Sequence, residues 1–204
     1  RPLLSSMWSM MTNGKTGGIL LARYTTMIIM VPSMAFLPLL MTEWQNSSGV
    51  QIGMIIACRT LVNAVLQIPF GKIVDKFHKL LILLSSSIVL SFCILSIPLV
   101  QSFMFMAVVY IIMGTAEAAI WAVLGAYASQ EAKRHYGHGT MMGVFSFAMS
   151  AGVFTGAVLA GVSMDGWGID RAYQVTGTAV LLISLLAALM IGRYDRRYPA
   201  AELR

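Results

Sequence analysis

Two charges stand in the middle of long apolar runs. Glu117 lies in "YIIMGTAEAAIWAVLGAY" and Arg59 in "IIACRTLVNAVLQI". An ionisable side chain inside lipid is costly to keep, so each is a functional candidate by default. Tyr110, Gly114, Glu117 and Trp121 are spaced by four, three and four, which sets them on one helix face. Arg59, Asn63 and Gln67 recur every fourth residue as a polar stripe that cannot face lipid. Two readings of Arg59 stay open: it holds an anion, or it forms a structural pair with Glu117. For Glu117 the plain alternative is a hydrogen bond to a neighbouring helix. Tyr24, Thr25 and Ser33 can add hydrogen bonds from an earlier run, although Ser and Thr in such helices more often serve packing. Pro32 and Pro38 in that run point to a kinked, gating helix.

The elements that must carry these residues are membrane helices. Hydrophobic residues fill 58% of the 204 positions and charged ones 11%. A soluble domain needs a charged shell of roughly a quarter of its residues, so lipid must cover most of this surface. A bilayer core takes about 20 apolar residues in helical form. Six stretches qualify: Gly18–Met41, Gly49–Phe70, Leu80–Val100, Phe103–Ala128, Gly139–Ser163 and Ala172–Gly192. Backbone groups in lipid must bond within their own segment, so the expected fold is all-α and polytopic. Cys58 and Cys93 sit in apolar runs with no metal-ligand spacing, and neither a metal nor a cofactor is expected. The cytoplasmic-loop residues Glu131, His135 and His138 read as a solvated turn.

Charge sets the orientation. Of fourteen Lys and Arg, twelve fall on one side: Arg1, Lys15, Arg23, Lys72, Lys76, Lys79, Lys133, Arg134, Arg193, Arg196, Arg197 and Arg204. Arg171 alone lies in an opposite loop. By the positive-inside rule both termini are cytoplasmic, and the net charge of +6 reflects topology rather than a nucleic-acid partner. Trp44 and Trp167 at the outer boundary and Tyr194 at the inner one fit interfacial anchoring. The chain divides into a lead-in over 1–17, a helical bundle over 18–192 and a charged tail over 193–204.

An internal repeat runs through the bundle. Gly53 pairs with Gly143, Gly71 with Gly161 and Asp75 with Asp165, each ninety residues apart. These fall on the second and fifth spans, so a three-helix unit occurs twice. Because three is odd, the second copy runs the opposite way, giving a 3+3 inverted repeat of the kind built into transporter folds.

With these residues in view, the chain resembles the major facilitator superfamily. That family's signature between the second and third helices runs roughly G-x-L-A-D-R-x-G-R-K. Here Gly71, Ile73, Val74, Asp75, Lys76 and Lys79 match it, with His78 in place of the second glycine. A second signature, in the fifth helix of proton-coupled drug antiporters, is G-x8-G-x3-G-P-x2-G-G. Gly143, Gly152, Gly156 and Gly161 keep its spacing, while Ala157 replaces the proline and Ala160 a glycine. The family's buried arginine of the fourth helix is replaced by Tyr110. The family has twelve helices, so the resemblance implies one six-helix half with a missing partner half. The lead-in and tail favour the carboxy-terminal half, with the lead-in as central loop; the glycine pattern pulls the other way.

The resemblance also implies roles. Gly71, Asp75, Lys76 and Lys79 would form a cytoplasmic gate that latches onto the other half, Gly71 allowing two helix ends to approach and Asp75 sitting near a helix start. Lys72, Lys76 and Lys79 would touch anionic headgroups at about 1 kcal/mol each; the plain reading is a polar loop. Glu117 would line the central cavity and bind a proton or a cationic group of the substrate. Gly143, Gly152, Gly156 and Gly161 would serve close helix packing. The function implied is secondary active transport of a small solute by alternating access, coupled to protons or another ion. Drug or metabolite antiport in a plasma membrane (the inner membrane of a bacterium) fits best. Competing classes are a six-helix channel, a membrane scaffold and a membrane-embedded enzyme. No G-x-S-x-G or H-E-x-x-H motif supports an enzyme, and no filter or charged ring supports a channel.

Overall fold

The computed structural model describes residues 3–45 and 47–197. Those residues are helical apart from short connections, without a strand. α1 (Leu3–Thr12) precedes six helices long and apolar enough to cross a membrane. The first span, Gly14–Glu43, joins α2 (Gly14–Ile28) to α3 (Leu37–Gln45) through a π-helical turn at Pro32–Phe36. The others are α4 (Gly49–Lys76), α5 (Lys79–Ser96), α6 (Phe103–Glu131), α7 (His138–Trp167) and α8 (Ile169–Arg197). The chain is an integral membrane protein.

Local chemistry accounts for the helix ends. Asn13 caps α2 by accepting from the Lys15 N–H at 3.0 Å. Ser48 and Gln51 form a reciprocal capping box that starts α4. Gly137 and Gly168, at φ 77° and 86°, turn the chain into α7 and α8; other residues adopt these angles at a cost.

Most of the packing follows the inverted repeat, the exception being the fifth and sixth spans, which lie together where the second and third scarcely touch. The second span lies along the fourth as the fifth lies along the first. The third packs on the fourth as the sixth packs on the first, and the third and sixth touch each other. Burial obeys the same pairing. The buried share of each span's most apolar stretch is 56% and 50% for the first and fourth, 22% for both second and fifth, and 39% for both third and sixth. The first and fourth spans are therefore the core, and the second and fifth leave most of their surface uncovered.

The helices outrun the hydropathy boundaries. α4 continues through the charged stretch to Lys76, and α6 with its final π turn reaches Tyr136. The spans are thus longer and the connections shorter than composition alone implies, because charge ends the apolar run without ending the helix. α2 likewise begins at Gly14 and α8 extends to Arg197, into the expected lead-in and tail. α1 is folded onto the bundle, with Met10 buried beside Leu20, Ala128 and Met141. Trp167 is exposed. The Trp44 side chain, Arg1 and residues 198–204, including Arg204, lie outside the described residues.

Candidate functional site

The break in the first span creates the polar centre of the bundle. Pro32 and Pro38 both lack an N–H. In a π turn the Ser33 carbonyl faces the residue five ahead, which is Pro38, so no backbone donor reaches it. Side chains from other spans reach the carbonyls of this turn, and at Ser33 one of them stands in for the missing donor. Tyr110 on α6 donates to the Ser33 carbonyl at 2.7 Å, and Tyr173 on α8 donates to the Pro32 carbonyl at 2.9 Å. Both tyrosines are fully buried.

Arg59 reaches this break from α4. Its Nη1 donates to Ser33 Oγ at 2.7 Å, and Ser33 Oγ donates in turn to the Ile29 carbonyl at 2.7 Å. The other edge of the guanidinium grips Glu117 in two places. Nε donates to Oε2 at 3.0 Å, and Nη2 donates to Oε1. Arg59 is 3% exposed and Glu117 7%, so the pair sits away from water. The guanidinium also lies 5.8 Å from the Tyr110 ring centre. α4 and α6 meet closely here because position 114 is glycine; a Cβ there would come 2.5 Å from the Arg59 carbonyl oxygen.

Of the candidates on α4 and α6, three meet at one point: Arg59, Glu117 and Tyr110. Asn63 and Gln67 bond each other instead, with Gln67 Nε2 donating to Asn63 Oδ1 at 2.7 Å. Trp121, one turn along from Glu117, turns toward Arg23, whose guanidinium carbon lies 5.1 Å from the Trp121 ring centre.

The fifth-helix glycines divide. Gly152 and Gly156 press against the backbone of Tyr24 and Ile28 in the first span, leaving no room for a Cβ. Gly143 and Gly161 meet nothing within 4 Å, since they fall on the uncovered side of α7. Near the carboxy-terminal end of the second span Gly71 also meets nothing within 4 Å, so within this chain it brings no helix ends together. Asp75 and Lys76 are exposed and lie in the last turn of α4, not at a helix start, because the helix runs on to Lys76. Lys79 opens α5 and turns inward, its ammonium 5.8 Å from the Tyr127 ring centre.

Several polar contacts were not legible in the sequence. Glu131 is no solvated turn: it is 3% exposed and accepts from Thr16 Oγ1 at 3.3 Å. Tyr173 gave no signal beyond its polar head in an apolar run. Arg23, one of the inner charges by count, lies half-buried well inside the first span.

Residues 17–203 match the Major Facilitator Superfamily. The chain belongs to the Major Facilitator Superfamily. It is 26% identical over 143 residues to an uncharacterized MFS-type transporter of Methanocaldococcus jannaschii, a match covering 70% of this chain and 36% of that protein. The chain therefore spans little more than a third of the curated relative it matches. The superfamily assignment gives the six spans and the central polar junction a common setting.

Proposed function

We propose that this chain is one half of a secondary transporter that moves a small solute across the membrane by alternating access, with protons as the coupling ion. The observation that carries this reading is the buried pair of Arg59 and Glu117 at the broken first helix. A buried ion pair is often less stable than well-packed apolar residues of the same size. Its presence in a membrane core is best accounted for by use. Protonating Glu117 removes the charge that holds Arg59. The guanidinium then keeps Ser33 and only a neutral acceptor at Glu117, and the polar tie between the second and fourth spans beside the π turn weakens. One proton thus changes how three spans hold each other.

The uncovered sides of the second and fifth spans fit a second six-helix half docking there. Gly71, Asp75, Lys76 and the inward-turned Lys79 are then the inner gate facing that half. Both termini are cytoplasmic, the membrane is the plasma membrane, and the direction is efflux in exchange for protons. The test is solute exchange in proteoliposomes of the full-length protein, with an interior pH dye and a panel of small organic solutes. Solute-dependent proton movement should appear in the wild type and vanish in Glu117→Gln. Proton-coupled exchange unchanged by that substitution removes Glu117 from the mechanism.

A further inference from the structure

Nine residues past Gly14, roughly 14 Å along the helix axis at about 1.5 Å per residue, the first span carries a second cation. Arg23 lies where the first, fourth and fifth spans converge. Its guanidinium carbon is 5.1 Å from the Trp121 ring centre and 4.9 Å from that of Phe145. Its Nη2 donates to the Met149 thioether at 3.1 Å, a weak acceptor for a full positive charge. No carboxylate among the described residues forms an ion pair with it. Two donors beside one another are buried without a hydrogen-bond partner, Arg23 Nε and Trp121 Nε1. Arg59 makes the contrast clear, since every edge of its guanidinium is engaged.

A buried donor without an acceptor is costly, and more so when charged. Here two such donors and a positive charge converge with no acceptor, and the aromatic faces and thioether around them are apolar. That combination selects an anion carried on an apolar body. With rings against the guanidinium and Nη2 on Met149, Nε is the edge that remains, and the two oxygens of a carboxylate can take Arg23 Nε and the neighbouring Trp121 Nε1.

We propose that Arg23, Trp121, Phe145 and Met149 form a recognition site for a carboxylate on the transported solute, with Arg23 Nε and Trp121 Nε1 as its donors. This substrate class rests on the transporter reading above. The site lies about one helical turn, ~6 Å, inward of Glu117 along α6. A bound carboxylate therefore sits beside the Arg59–Glu117 pair, close enough for its charge to bear on which partner Arg59 keeps.

The experiment reads binding rather than transport. The full chain is placed in lipid nanodiscs with Trp8→Phe, Trp44→Phe and Trp167→Phe, so that emission comes from Trp121. It is titrated with benzoate, with its neutral analogue benzamide, and with inorganic phosphate. Benzoate should give a saturable change in Trp121 emission. Benzamide should bind about thirtyfold more weakly, as expected for losing one charge-assisted contact of about 2 kcal/mol. Arg23→Gln should abolish the benzoate response and Arg23→Lys should restore part of it. Phosphate binding in preference to benzoate overturns the carboxylate assignment. A response to neither anion, or a benzoate response that survives Arg23→Gln, overturns the site. If proton-coupled exchange fails while benzoate binds as described, the transporter reading falls and the carboxylate site does not.

Discussion

Arg59 ties the first, second and fourth spans together through Ser33 and Glu117. Removing one partner of a buried pair strands the other, at a cost of about 3–5 kcal/mol. Arg59→Met should accordingly lower the unfolding midpoint in detergent sharply. Removing both charges, in Arg59→Met with Glu117→Leu, should recover most of that loss while leaving proton-coupled exchange absent. Stability that stays low in the double variant contradicts the account, because it would mean the pair is held for folding alone. The two charges, and the polar stripe of Asn63 and Gln67 beside Arg59, were legible in the sequence, since nothing else in the apolar runs carries charge so far from an end. Their pairing was one of two open readings, because spacing along a helix gives a face but not the rotation of that face toward a neighbour. The same ambiguity concealed Arg23: counted as a charge near a helix start, it sits deep enough to meet Trp121 and Phe145.

At the scale of elements, glycines set the close approaches: Gly114 against the second span, Gly152 and Gly156 against the first, and Gly18 and Gly177 between the first, third and sixth. Gly114→Ala puts a Cβ 2.5 Å from the Arg59 carbonyl oxygen and must push α4 from α6. Overpacking of this kind costs about 1–3 kcal/mol, readable as a lowered melting temperature. Gly143→Ala, whose Cβ meets nothing within 4 Å, should leave the melting temperature unchanged. A reversed order of the two variants contradicts the packing described. Six spans could be read from hydropathy, and two prolines marked the irregular first helix. The π turn itself could not, because it depends on which carbonyls Tyr110 and Tyr173 reach. Nor could the helix extensions past the apolar runs, since Lys72 and Lys76 end such a run but remain good helix formers.

Across the whole molecule, the symmetry of burial is the guide. The first and fourth spans form the core, the third and sixth pack beside them, and the second and fifth present uncovered faces. The repeat was legible from only three residue pairs, and two of its glycine pairs, Gly53 with Gly143 and Gly71 with Gly161, share the property of open space around them. That agreement gives the sequence repeat a physical content: equivalent positions face the side where a second half would dock. Alternating access requires the two ends of such a face to open in turn. Gly53 and Gly71 lie toward opposite ends of α4, and each has room for a larger side chain. The most direct measurement is therefore maleimide labelling of Gly53→Cys and Gly71→Cys, each in a Cys58→Ser, Cys93→Ser background of the full-length protein in vesicles, with and without an imposed pH gradient. Labelling at one site should rise as labelling at the other falls, and Glu117→Gln should freeze both. Rates that rise together, or that ignore the gradient, contradict a proton-driven rocking of this bundle.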